Sequence, residues 1–393
     1  MKVAIIIERY DISLGGAEWL VFELASALSQ LGVDVDIIAT RGNSSAANVH
    51  FLCPAGHIKR ISLANFAKLV SYYIEQNHYD IIHSVIPLTF ADVYQPPGGS
   101  FTEAIIRNAA SYRNKLLSFY KKATAFTNWR RSEMLRVEEK LSKNPNGPII
   151  AALSNYVKDQ FINRYNLDSE RIALVPNGVK VDNKADARGV EELKTQIIQQ
   201  LGIESSANPV FFLFGANNFR LKGLNVLIEA LALLDKSSIP RTPYLVVAGS
   251  GKTNKYRLLA EKLNVGKKIV FLGHLSHIKN ALSISNVAVL PTFYDPCSRY
   301  ILEALAAGKP VITTKFNGAS DFFVNNRHGK VLDSPENIDV LAEAIRYFTD
   351  TKNIENASKA IIEDNLKENI SIDRAARQLL DVYESILQRK GRK

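Results

Sequence analysis

Cysteine is nearly absent from this chain: Cys53 and Cys297 are the only two in 393 residues. Two thiols cannot build a disulfide framework, so a reducing compartment is expected. Long apolar runs are missing as well. No stretch approaches the ~20 residues that a helix needs to cross a bilayer. The opening "VAIII" stops at Glu8, too short for the apolar part of a signal segment. These absences lead to the expectation of a cytoplasmic protein whose membrane contact, where it has any, is peripheral and on the inner face. Acidic residues are outnumbered, 39 Asp and Glu against 49 Lys and Arg, for a net charge of +10. Such a surplus points to an anionic partner.

Several chemical signatures are missing too. Zinc-finger spacing and the aromatic signature of RNA-binding sheets are both absent, so no nucleic-acid partner is expected. "AGSGKTNKY" at 248–256 resembles a phosphate loop, but the place of the first Walker A glycine holds Val246. Gly15 and Gly16 lack the third glycine of a dinucleotide fingerprint. The lone Asp-x-Asp, at 34–36, lies inside a strand pattern rather than in a loop. No metal and no cofactor are therefore expected.

What is present is alternation. "KVAIII", "VDVDIIAT", "YDIIHSV", "IIAALS" and "IALVP" read as strands. The first is followed by the helix "WLVFELASALSQLG", with apolar residues at three-to-four spacing and Gly32 at its end. "PNGVKVD" at 176–182 is turn chemistry, and there the pattern restarts: "VFFLFGA", "YLVVAGS", "IVFLGHL", "VAVLPTF" and "VITTKF", with helical stretches between them. The expected fold class is α/β, with two Rossmann-like parallel-sheet domains facing a cleft. The expected domains are 1–178 and 179–370. A last helix in 371–393 fits either body.

Ligands of open α/β sheets sit beyond the carboxyl ends of the strands. In "LGGAE", at 14–18, two glycines precede a helix and expose backbone N–H groups, an anion site. "GANNFRLKGLNVLIEAL", at 215–231, repeats the arrangement and adds Arg220 and Lys222, a fork and a point charge suited to a diphosphate. In "PTFYDPCSRYILEALAAGKPVITT", a buried strand ends and a helix starts after Asp295, Pro296 and Ser298. Glu303 follows about two turns in, and the N–H groups of "PCSRY" are left open to a phosphate. Finally, 107–143 carries ten Lys and Arg against Glu133, Glu138 and Glu139, interleaved with aromatics. That reads as a basic amphipathic helix able to lie on an anionic membrane, or equally as a solvated helix packing its aromatics on its own domain.

The ordered set "GGAE", "VPNGV", "FRLKG" and Asp295-x7-Glu303 followed by "EALAAGKPVI" resembles the family-four retaining glycosyltransferases of GT-B fold. The nearer pattern, through "ADVY" at 91–94, is that of lipopolysaccharide core glucosyltransferases. The resemblance implies transfer of a hexose from a nucleotide-diphospho-sugar, UDP-linked, to a hydroxyl of a glycan or glycolipid acceptor in cell-envelope synthesis. It implies that Glu303 binds the nucleotide ribose and that Arg220 and Lys222 hold the diphosphate. Asp295 and the backbone from Pro296 through Cys297 and Ser298 to Arg299 would hold the donor sugar. Gly15, Gly16, His83, Gly249 and Gly273 join the donor side, with a plain buried histidine as the other reading of His83, and Asp92 and Glu18 join the acceptor side. Asp295 stands where the family carries its first Glu, one methylene shorter, which leaves the sugar open. Two other readings belong to the same fold: a sugar-nucleotide 2-epimerase, and a binding protein without catalysis.

Overall fold

The computed structural model describes the chain except residues 13–15, 55–60, 182–184, 205–207, 235–238 and 392–393. It divides into two compact units. One holds 1–109, 114–178 and 372–393; the other holds 110–113 and 179–371. Val175 belongs to the first and Val179 to the second, so the chain passes from one to the other within "VPNGV".

The first unit contains β1 (Lys2–Ile6), β2 (Arg9–Tyr10), β3 (Asp34–Ala39), β4 (Arg41–Gly42), β5 (Val49–Phe51), β6 (Ile81–Ser84), β7 (Val93–Tyr94), β8 (Ile149–Ala152) and β9 (Ile172–Leu174). Seven of them form one sheet in the order β5-β3-β1-β6-β7-β8-β9, all parallel, while β2 and β4 pair separately. Strands covered on both faces need apolar side chains on both, which is why "VAII" and "IIAA" show no alternation. One face packs on the helix Ala17–Gln30 and on the last helix, Ile372–Gly391. Leu379, Tyr383 and Ile386 of that last helix enter a core with Val3, Ile5 and Leu28. Burying each such side chain contributes about 1.5–3 kcal/mol. The other face packs on the helix Leu63–Asn77 through Phe66 and Val70, and on Met134.

The second unit contains β10 (Val210–Gly215), β11 (Pro243–Ala248), β12 (Ile269–Gly273), β13 (Val287–Leu290), β14 (Val311–Thr314) and β15 (Gly329–Leu332). Their order is β12-β11-β10-β13-β14-β15, again parallel throughout. This is the doubly wound order that reverses direction between its first and fourth strands. Here the reversal falls between β10 and β13, where Phe212 pairs with Val287. The loops leaving those two strands are 216–223 and 291–298, so the topology itself brings Lys222 to Asp295.

Glycine punctuation acts one residue later than the sequence suggests. Helix Ala17–Gln30 is capped by Leu31 and helix Arg299–Ala306 by Ala307; Gly32 and Gly308 follow with φ of +83° and +69°. The basic stretch is not one helix. It breaks into Phe101–Ala110, Lys115–Ala123 and Trp129–Lys143, each of the last two started by an asparagine side chain, Asn114 or Asn128, that accepts from first-turn N–H groups.

Candidate active site

The site is built on the second unit at the reversal of its sheet. After β10 the chain turns through Asn218 to Gly223, and the backbone N–H of Phe293 donates to the carbonyl of Leu221 at 2.9 Å. The two loops are thereby stitched together. Gly223 has φ +83°, and a Cβ there would lie 2.1 Å from the carbonyl oxygen of Pro291, so only glycine allows the approach. Held this way, Lys222 Nζ donates to Asp295 Oδ2 at 2.6 Å and to the Tyr294 carbonyl at 2.9 Å. Both side chains keep less than a fifth of their surface exposed. A partly desolvated ion pair of this kind is a strong fixed dipole.

Asp295 is anchored from both sides. Its N–H donates to the Phe316 carbonyl, and its own carbonyl accepts from the Gly318 N–H, each at 2.9 Å. Pro296, Cys297 and Ser298 are buried behind it, and Ser298 is the N-cap of helix Arg299–Ala306 without a capping side-chain bond. One N–H that the sequence reading left open to a ligand is taken: Ser298 N donates to Asn317 Oδ1 at 3.2 Å. Glu303 is the fifth residue of the helix, little more than one turn in rather than two, and its carboxylate meets Arg299 at 3.4 Å. Tyr300 fastens the helix to β10: its hydroxyl donates to the Leu213 carbonyl and its ring lies where a Cβ on Gly215 would be. Burial holds the Tyr300 phenol well above its ordinary range.

Arg220 lies in the same loop. Its guanidinium stacks on the Tyr112 ring at 3.8 Å and donates to the Ser111 hydroxyl. Gly249 and Gly273 end adjacent strands and bond each other, Gly249 N to the Gly273 carbonyl at 2.7 Å. Gly249 has φ +138°, with a would-be Cβ at 1.7 Å from the Ala216 carbonyl oxygen. Both glycines thus shape the strand ends beside Asn217 and Ser250.

Asn317 was not singled out from the sequence. It is fully buried, its Oδ1 accepts from Ser298 N and Ala319 N, and its Nδ2 donates to Thr313 Oγ1 at 2.9 Å. The Asn-Gly pair after "VITTKF" was the available signal, since such pairs mark turns.

On the first unit, Gly16 is the N-cap of helix Ala17–Gln30 with φ +66°; Gly15 lies outside the described residues. Glu18 stands in the first turn of that helix, 3.7 Å from Arg9. His83 lies inside β6, within the stretch "YDIIHSV" that reads as a strand, 1% exposed, with Nδ1 2.5 Å from the Tyr383 hydroxyl. Burial lowers its pKa to about 3, and the side chain of Gln95 opposes that shift. Asp92 sits immediately before β7, and its carboxylate accepts from Ile82 N at 2.8 Å and from Lys390 at 2.8 Å. In a parallel sheet the residue before a strand lies at the amino edge, away from the ligand edge.

The model described as "Glycosyltransferase Family 4" matches residues 14–183, and that of "Glycosyl transferases group 1" matches 195–367. The lipopolysaccharide glucosyltransferase WaaG of Escherichia coli K12 is 28% identical over 186 residues, 47% of this chain and 49% of that protein. A UDP-Gal:alpha-D-GlcNAc-diphosphoundecaprenol alpha-1,3-galactosyltransferase of Escherichia coli is 26% identical over 243 residues, 61% of each. The chain thus spans about half to three fifths of the length of these curated relatives. The crystal structure of WaaG superposes with a TM-score of 0.68 at 20% identity, over 99% of this chain and 98% of that one. The chain belongs to the glycosyltransferases described as group 1 and family 4, and its fold is GT-B.

Proposed function

We propose that the protein is a retaining hexosyltransferase. It moves a sugar from a nucleotide-diphospho-sugar, UDP-linked, to a hydroxyl of a glycan or glycolipid in cell-envelope synthesis. The observation that carries this reading is the Lys222–Asp295 pair at the sheet reversal, directly before the N-terminus of helix Arg299–Ala306. A phosphate there meets one ammonium, a nearby guanidinium on Arg220 and the positive end of a helix dipole. Glu303, one turn along, accepts from a ribose diol. Asp295 orients Lys222 and faces the sugar hydroxyls.

In the reaction the bond between C1 of the sugar and the diphosphate oxygen breaks while the acceptor oxygen bonds C1 on the same face. The acceptor proton passes to the departing diphosphate. Lys222, Arg220 and the helix end stabilise the charge that develops, so no bound metal is called for. The named relatives support the reading, since one carries a UDP-linked donor in its name and another is named a lipopolysaccharide glucosyltransferase.

The deciding experiment is a melting-temperature screen with UDP, GDP and ADP, followed by incubation with the matching sugar nucleotides. A ligand held at 100 times its Kd stabilises by about 2.7 kcal/mol. UDP is expected to raise the melting temperature most, and Glu303→Ala to remove the rise. No response to any nucleotide would end the reading. Epimerised donor formed without acceptor would replace it with the isomerase.

We further propose peripheral membrane contact through helix Lys115–Ala123, on the cytoplasmic side. No residue of that helix is buried, and Leu116 and Phe119 are 82% and 74% exposed beside Lys121 and Lys122. Among the described residues, no helix is long and apolar enough to cross a membrane. Inserting each apolar side chain is worth about 1.5–3 kcal/mol. The Leu116→Ser, Phe119→Ser double variant is therefore expected to bind phosphatidylglycerol vesicles at least tenfold more weakly in co-sedimentation at low salt. Equal binding by both proteins would exclude this helix as the contact.

A further inference from the structure

Arg9 and Arg41 are register partners across the two-stranded ladder β2–β4. Both line a cavity of about 170 Å³ at the carboxyl edge of the first sheet, together with Glu8, Glu18, Val85 and Ile86. Like charges placed opposite each other on a ladder are destabilising, and the counter-charge here is thin. Glu18 meets Arg9 only at 3.7 Å, and Glu8 is engaged by the guanidinium of Arg130. Among the described residues Arg41 has no ion-pair partner. The lining thus holds two guanidinium groups and two carboxylates, and one of those carboxylates, Glu8, is already paired with Arg130. Ala17, the first residue of helix Ala17–Gln30, adds the positive end of a helix dipole to the same wall.

We infer that this cavity is an oxyanion subsite, and that the acceptor carries an acidic group, a phosphate monoester or a sugar carboxylate, gripped by Arg9 and Arg41. The acceptor role rests on the transferase reading; the anion site itself does not. Two forks side by side suit the several oxygens of such a group. Val85 and Ile86 offer an apolar wall to the attached ring, and Glu18 is placed for one of its hydroxyls. An anion in this position also neutralises the like-charge pair, so ligand binding and local stability are coupled.

The test uses the full chain carrying Lys222→Ala, which weakens anion binding at the second unit, titrated calorimetrically with inorganic phosphate at constant ionic strength. Saturable binding is expected, weakened at least tenfold by adding Arg41→Gln or Arg9→Gln. Without phosphate, the Arg41→Gln protein is expected to melt no lower than its parent, because relief of the charge pair offsets the lost packing; this also shows that it is folded. Phosphate affinity unchanged by both substitutions, or no saturable binding, overturns the proposal. Glucose 6-phosphate and glucuronate titrated in parallel identify which acid is preferred, and failure of both to compete with phosphate also overturns it. UDP titrated into the otherwise native protein and into Arg41→Gln separates the two readings. Equal UDP affinity supports a subsite distinct from the donor's, and a parallel loss of UDP and phosphate refutes it. Arg41-dependent phosphate binding in a protein that ignores UDP, GDP and ADP alike would leave the subsite standing and remove the transferase.

Discussion

Lys222→Ala is expected to lower kcat/KM for sugar transfer by roughly 10²–10³-fold, the usual cost of deleting one preorganised donor aimed at developing negative charge. The structure says why one residue weighs so much. Its ammonium bonds the Asp295 carboxylate at 2.6 Å and the Tyr294 carbonyl at 2.9 Å, so it is positioned before any ligand arrives. Removing it deletes a cation and leaves a half-buried carboxylate facing the place where a diphosphate would lie. The second effect repels the donor as well, so KM should rise along with the fall in kcat. Stability should drop by roughly 1–3 kcal/mol, between the values for surface and fully buried pairs. Lys222→Arg is not a conservative rescue, because a planar fork cannot place one donor on both acceptors. Asp295→Asn keeps an acceptor for Lys222 and removes the charge, and is expected to harm turnover more than nucleotide affinity. Steady-state kinetics with UDP inhibition constants separates these outcomes. Wild-type kcat/KM in folded Lys222→Ala would remove the residue from the site.

The second large effect concerns pH. Glu138 is fully buried, and both its oxygens accept from Phe101 N, at 2.8 and 3.1 Å, at the start of helix Phe101–Ala110. Burial pushes its pKa from 4.5 up to about 8, against the opposing bonds from Phe101 and Tyr165. The folded chain therefore holds a proton that the unfolded chain has released between those two values, and stability falls as pH rises through that interval. His83 acts in the opposite sense. Its pKa is lowered from 6.5 to about 3, so its contribution is lost as pH falls below 6.5 and is complete above it. Between pH 6.5 and 8 the Glu138 slope stands apart from that of His83, at about 1.4 kcal/mol per pH unit, or about 2 kcal/mol across the window. Glu138→Gln keeps the acceptor, cannot ionise, and is expected to flatten the curve there. Denaturant unfolding at pH 6.5, 7.2 and 8 measures it; the same slope in both proteins would show that Glu138 is not the titrating group.

Three cases mark how far the chain could be read before folding was known. The loops leaving β10 and β13 were legible because a strand ends visibly, at Gly215 and Pro291, and the carboxyl end of a parallel strand is where ligands gather. Asp92 was misplaced because distance along the chain conceals direction. The segment after β6 must return to the amino edge before β7 can run parallel to it, and Asp92 sits at the end of that return. Asn317 escaped notice because its work is done across space, on Ser298 N nineteen residues away.

By itself the sequence determined the class of the protein. Apolar strands without alternation demand cover on both faces, the pattern restarts after "VPNGV", and cations and glycines fall where strands end. Those are local properties of residue type and period, and they survive in a linear string. Only the tertiary structure decided that Lys222 pairs with Asp295, that Arg9 stands beside Arg41, and that the last helix packs on the first sheet. An amphipathic stripe states that a face must be buried; which surface buries it depends on strand order and packing between segments hundreds of residues apart, and no local pattern encodes that.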